Sequence, residues 1–145
     1  MEAVILVGIQ AAGKSTFCRE RLFETHLRIS LDMVRTRRRE RILMEACIAA
    51  GQRFVIDNTS ATAEERARYL APARAARFRT IGYFFDPDPQ GSVRRNAARD
   101  RRVPPAGIFG TLKRLEPPAL AEGFDELYLV RVVEGGFEVT AMESA

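Results

Sequence analysis

The chain has no tryptophan, a single histidine, two cysteines and, against 21 arginines, only two lysines in its 145 residues. Each scarcity excludes something. His26 alone offers neither a histidine-based triad nor a metal cluster. Cys18 and Cys47 have no metal-ligand spacing around them and are too few for a disulfide scaffold. Each falls in a predicted helix and reads as a buried free thiol, which fits a cytoplasmic location. No stretch approaches the roughly 20 apolar residues of a membrane-spanning helix. The apolar run near the start is too short for a signal peptide. Internal repeats, low-complexity segments and linkers are also missing, so a single domain over residues 1–145 is expected.

What is present is positive charge, unevenly placed. The net charge is +4. From Glu116 onward seven acids face one base, Arg131, so the preceding part carries an excess of ten positive charges. The excess gathers at Arg35-Thr36-Arg37-Arg38-Arg39-Glu40-Arg41 and at Arg94-Arg95, Arg99 and Arg101-Arg102. Such clusters attract phosphates and polyanions. The preference for arginine over lysine also fits a genome biased toward arginine codons, in which case the clusters are solvated faces.

The most specific feature is Gly8-Ile9-Gln10-Ala11-Ala12-Gly13-Lys14-Ser15, which fits the phosphate-loop pattern G-x-x-x-x-G-K-[ST] without a gap. Before it, Ala3–Val7 is an apolar, branched run typical of a buried parallel strand. After it, residues 15–23 read as a helix. The turn between them would aim successive N–H groups and the positive end of a helix dipole at a polyphosphate. Gly8, Gln10, Ala11, Ala12, Gly13, Lys14, Ser15 and Thr16 are therefore candidate nucleotide contacts. Lys14 would bridge the β- and γ-phosphates of ATP, and the Ser15 hydroxyl would ligate Mg²⁺.

Further strands are expected at 27–30, 53–57, 78–85, 126–133 and 137–142. Helices are expected at about 33–50, 62–76, 92–100 and 106–115. Gly51 would end the first of these as a C-cap, Thr62-Ala63-Glu64-Glu65 would open the second as a capping box, and Pro104 would forbid the third from continuing. Alternation of strand and helix over residues 3–115 predicts an α/β fold, a parallel sheet with helices on both faces. Glu134-Gly135-Gly136 adds a C-terminal β-hairpin. Ligands of such sheets bind beyond the carboxyl ends of the strands.

The residues after each strand are thus the ones to read for chemistry. Asp57 ends a short apolar strand, where a carboxylate would reach Mg²⁺ through water or hold the loop serine. Asp32 lies at the mouth of another strand, and Arg35 follows three residues on. A shared helix face would let Asp32 take the proton of an attacking hydroxyl while Arg35 holds an acceptor phosphate. The alternative is a helix-capping acid with a surface ion-pair partner. Arg95 and Arg99, at i, i+4, sit before the Arg/Pro-rich segment. They would fold over the triphosphate as a lid (about residues 95–105) and neutralise charge on the transferred group. Asp86-Pro87-Asp88 superficially resembles a phosphatase loop but lacks its partner motifs, and Asp88 reads better as a helix start.

Four pieces in order resemble the 5′-hydroxyl polynucleotide kinase domain and the small P-loop kinases related to it. They are Gly8–Ser15 with Thr16-Phe17; Ile29-Ser30-Leu31-Asp32-x-x-Arg35; Val55-Ile56-Asp57-Asn58-Thr59; and Phe84-Phe85-Asp86-Pro87 followed by Arg95-Asn96-x-x-Arg99 and Val103-Pro104. The likeness spans residues 1–115 and implies a P-loop NTPase-type fold. It also implies that γ-phosphoryl transfer from ATP goes to a 5′-hydroxyl end of DNA or RNA. In it Asp32 is the general base, Arg35 an acceptor-phosphate contact, Arg99 the lid arginine, Arg95 a second nucleotide contact and Asp57 a support for loop and metal. The departures are Ala11-Ala12 in place of Gly/Ser, and Ser60 where the family has Asn. The acidic hairpin has no counterpart. A kinase of a small hydroxylated metabolite or antibiotic, and a nucleotide-binding module without catalysis, remain as alternatives.

Overall fold

The structure, a computed structural model, describes residues 1–99 and 102–143. Of the sequence-based expectations, Arg101 in the second basic cluster and the end of the predicted 92–100 helix at Asp100 lie outside the described residues.

One six-stranded sheet organises the chain, in the order β2-β3-β1-β4-β5-β6. The strands are β1 (Glu2–Val7), β2 (Leu27–Ile29), β3 (Phe54–Asp57), β4 (Arg79–Phe85), β5 (Glu126–Val133) and β6 (Gly136–Ala141). All neighbours run parallel except β5 and β6. The helices are α1 (Lys14–Arg21), α2 (Leu31–Val34), α3 (Arg37–Ala50), α4 (Ala63–Ala75), α5 (Pro89–Ala97) and α6 (Pro105–Arg114). No helix of the described residues is long and apolar enough to cross a membrane.

Both faces of β1 are buried, as the uninterrupted apolar run requires. Ala3, Ile5 and Val7 join a core with Met44 and Cys47 of α3 and Tyr69, Leu70 and Ala73 of α4. Val4 and Leu6 face the other way, onto Phe17 and Cys18 of α1 and Ile108 of α6. The sheet is thus sandwiched between two helical layers, the α/β architecture expected from the alternating pattern. Both cysteines are buried free thiols.

Strand register aligns the loops that build the site. Leu6 pairs with Asp57, and Ile29 pairs with Ile56. Gly8 therefore emerges level with Thr59, and its N–H donates to the Thr59 carbonyl at 3.0 Å. Ser30 emerges level with Asp57, and its hydroxyl caps α2 by accepting from the Asp32 N–H at 3.3 Å.

The structure corrects three local expectations. The helix expected over 33–50 is two helices, because Arg35 takes φ +75° and ends α2 after one turn. Asp32 and Arg35 consequently do not share a continuing helix face. The capping box at α4 forms only in part. Thr62 accepts from the Glu65 N–H, but the Glu65 carboxylate turns to the Ala61 N–H at 2.9 Å instead of the Thr62 N–H. The helix expected over 92–100 runs instead from Pro89 to Ala97, with Ala98 as its C-cap, so Arg99 lies past its end. The expected C-terminal hairpin forms. Its first strand, β5, pairs parallel to β4 from Ile81↔Glu126 to Phe85↔Val130, and so extends the main sheet.

Candidate active site

The phosphate loop occupies the turn from β1 into α1. Gly13 sits at φ +100°, where a Cβ would come within 3.1 Å of the Phe137 ring and 3.4 Å of Val132. Both the backbone conformation and the space therefore require glycine there. Ala11 adopts φ +56°, a left-handed conformation that costs a non-glycine residue about 1–2 kcal/mol. The Arg95 Nε donates to the Ala11 carbonyl at 2.7 Å, which helps hold that turn.

Lys14 is buried, and its ammonium donates to the carbonyls of Gly8 at 2.9 Å and Ile9 at 2.5 Å. Burial pushes its pKa down to about 8. The Asp57 carboxylate opposes that shift, Arg99 adds to it, and Asp32 opposes it more weakly. Lys14 thus feels Asp57, Arg99 and Asp32, which three separate segments bring to one place. The Ser15 hydroxyl donates to Asp57 Oδ2 at 2.9 Å. The same oxygen accepts from Arg28 Nε of β2 at 2.7 Å.

Gln10 reaches α6, where its amide donates to Thr111 Oγ1 at 2.9 Å. Thr111 spends its own proton on the Gly107 carbonyl, so it must accept from Gln10, which fixes the amide's orientation. Gln10 Oε1 is left buried without a hydrogen-bond partner among the described residues.

A cavity of about 430 Å³ opens between these elements. Gln10, Ala11, Gly13, Lys14, Ser15, Thr16, Asp32, Asp57, Arg95 and Arg99 line it, together with Leu31, Arg37, Asn58, Thr59, Ser60, Glu65, Tyr69 and Val103. Gly8 and Ala12 are buried and are not among the lining residues. Arg35 is exposed and also outside the lining. Asn96 ties α5 to Val103: its amide donates to the Val103 carbonyl at 2.6 Å and accepts from the Val103 N–H at 2.9 Å.

Three features escape a reading of the sequence. Arg28 reaches Asp57 across 29 residues. Arg37 enters the cavity wall. Behind it, Glu40, Asn58 and Tyr69 form a buried network in which Asn58 and Tyr69 both donate to Glu40 Oε2, at 2.8 and 3.0 Å. Only the Arg-x-x-Glu spacing of Arg37 and Glu40, one helical turn, signals any of this.

Ser15 and Asp57 supply hard oxygen donors of the kind Mg²⁺ takes. Among the described residues no group of three His, Cys, Asp or Glu side chains is placed to hold a metal. The donor set therefore fits an ion that is bound mainly by substrate phosphates and supported by one carboxylate.

The AAA domain family model matches residues 40–118. The chain belongs to this family. The matched span of the AAA domain includes Asp57, Arg95 and Arg99, and it begins after the phosphate loop and Asp32. The fold is that of P-loop kinases. A sugar kinase from Janibacter sp. HTCC2649 is similar with a TM-score of 0.70 and 15% identity, over 90% of this chain and 85% of that one. A gluconokinase from Sinorhizobium meliloti 1021 is similar with a TM-score of 0.64 and 16% identity, over 91% and 83%. A chain of an RNA repair complex has a TM-score of 0.60 and 21% identity, over 79% of this chain and 43% of that one.

Proposed function

We propose that this AAA domain is an ATP-dependent kinase of a hydroxyl acceptor, and that its acceptor is a 5′-hydroxyl end of nucleic acid. The observation that carries the kinase reading is the convergence of Lys14, the Ser15–Asp57 pair, Asp32 and Arg99 on one cavity at the carboxyl ends of β1, β2 and β3. A binding module needs the loop but has no use for an acid and a lid arginine aimed at it.

In this reading the γ-phosphate draws the Lys14 ammonium off the Gly8 and Ile9 carbonyls. A Mg²⁺ ion held by Ser15 and supported by Asp57 would neutralise the developing charge on the phosphates. Asp32 accepts the proton of the attacking hydroxyl while its oxygen forms the new bond to phosphorus. The bond to the β-phosphate oxygen breaks, ADP departs, and Arg99 stabilises the charge spread over the transferred group. Arg95 keeps the loop in shape through Ala11.

Nucleic acid as acceptor is supported by the exposed Arg38, Arg39 and Arg41, which follow Asp32 around the α2–α3 corner. They would steer a polyanion to the cavity. The likeness to a chain of an RNA repair complex is in line with this. A small polyhydroxylated acceptor is the second reading. It is favoured by the Ser60, Glu65 and Tyr69 wall, which puts a carboxylate and two hydroxyl groups beside the cavity, and by the likeness to two sugar kinases. Incubation with γ-labelled ATP, Mg²⁺ and separate 5′-hydroxyl DNA, 5′-hydroxyl RNA and metabolite pools decides between them. Label on oligonucleotides that weakens steeply from about 50 to 200 mM salt supports the first reading. Label on metabolites alone replaces it with the second, and no label in any pool overturns kinase activity.

A further inference from the structure

We infer that Arg37, and not Arg35, binds an anionic group carried by the acceptor next to its reacting hydroxyl, held in place by a buried frame of Glu40, Tyr69 and Asn58. The inference rests on the kinase reading and names the chemistry of its acceptor, an alcohol with a neighbouring phosphate.

Arg35 is not among the residues that line the cavity. At φ +75° it closes α2 and is exposed. Two residues later Arg37 opens α3 with its side chain half exposed in the cavity wall. Its guanidinium is not loose. Nη1 donates to Glu40 Oε1 at 3.0 Å and to the Tyr69 hydroxyl at 2.9 Å. Glu40 is only 1% exposed. Its second oxygen is already served by Asn58 and Tyr69, so the buried carboxylate draws on a single nitrogen of Arg37. Among the described residues Nε and Nη2 make no hydrogen bond or ion pair, and they form the edge with the geometry to grip a phosphate by two parallel bonds.

The same frame sets the position of the candidate base. Asn58 accepts from the Leu31 N–H at 2.9 Å through Oδ1 while donating to Glu40 through Nδ2. Leu31 directly precedes Asp32. One amide therefore links the segment bearing the carboxylate to the network bearing the guanidinium. An acceptor whose phosphate sits on Arg37 would lie in the cavity that Asp32 also lines.

The test uses a matched pair of acceptors, a nucleoside and its 3′-phosphate, with the wild type, Arg37→Ala, Arg35→Ala and Tyr69→Phe. Arg37→Ala is expected to raise KM for the 3′-phosphate about 10- to 100-fold, the loss of a charged hydrogen-bond pair, while KM for the nucleoside stays within twofold. Tyr69→Phe, acting through Arg37, should raise the same KM by a smaller factor and leave kcat near its original value. Arg35→Ala should change neither KM by more than twofold. Calorimetric binding of the 3′-phosphate to the ADP-bound protein is measured alongside. Binding lost in Arg37→Ala and kept in Arg35→Ala supports the inference even if no acceptor is phosphorylated, an outcome that would overturn the kinase reading alone. Equal effects of Arg37→Ala on both acceptors, a larger effect of Arg35→Ala, or binding indifferent to Arg37 overturns it.

Discussion

Arg28 and Ser15 donate to the same carboxylate oxygen, Asp57 Oδ2, at 2.7 and 2.9 Å. The carboxylate proposed to support a metal is therefore shared with a cation from β2. Arg28→Ala should let Mg²⁺ act at a severalfold lower concentration, because a competing positive charge is gone. It should also lower the melting temperature by several degrees, since the buried Asp57 loses a charged partner worth about 1–2 kcal/mol after allowance for the exposure of Arg28. Magnesium titrations of ADP binding and thermal melts check both. An unchanged magnesium requirement would show that Arg28 only braces the fold.

Lys14 makes stability depend on pH. Its folded pKa is about 8, below the ordinary lysine value of 10.5. Between those values the unfolded chain holds a proton that the folded chain has shed, so stability rises with pH across the window. Cys18, pushed up to about 11 by burial, and Tyr69, also raised mainly by burial, act in the opposite sense above their ordinary values. The effect is therefore read as the difference between wild type and Lys14→Met in denaturant titrations from pH 7 to 10. The wild type should gain stability relative to the variant as pH rises. Lys14→Met should also abolish phosphoryl transfer.

Asp32→Asn separates base from binder. If Asp32 takes the proton, kcat falls by roughly 10²–10⁴ while ATP affinity is nearly unchanged. Steady-state rates and nucleotide titration measure the two independently. A matching loss of ATP affinity would make Asp32 a nucleotide contact.

Asn96→Ala tests the lid. Removing an amide that both donates to and accepts from Val103 leaves two backbone groups without partners and should cost about 1–3 kcal/mol. Local opening around Val103 becomes easier. Trypsin should then cut after Arg99 or Arg102 faster than in the wild type, and KM for ATP should rise. Equal cleavage rates would show that the segment is held elsewhere.

The elements that place the loop could be read from local pattern. Ala3–Val7 and Phe54–Asp57 are buried on both faces, and that leaves a run of apolar residues in the sequence. Thr62 and Asp88 announce helix starts because short polar side chains satisfy the first N–H groups. What could not be read depends on distant partners or on unusual backbone. Nothing in the arginine run from 35 to 41 marks the left-handed Arg35, since only glycine advertises that conformation. Parallel pairing of β5 with β4 joins residues some 45 positions apart, whereas the Gly135-Gly136 turn speaks only for the hairpin. Arg28, Arg37 and the Glu40–Asn58–Tyr69 network fail for the same reason: each is defined by side chains from different strands and helices.

Phe137 of β6 meets Phe17 of α1 with ring centroids 5.3 Å apart and stands against Gly13. A ribosome delivers residue 137 well over a hundred positions after residues 8–15. A nascent chain would expose the phosphate loop long before the ring that backs it exists. Grip on a nucleotide would then wait for β6, so that a truncated product carrying the whole loop would still lack a finished one.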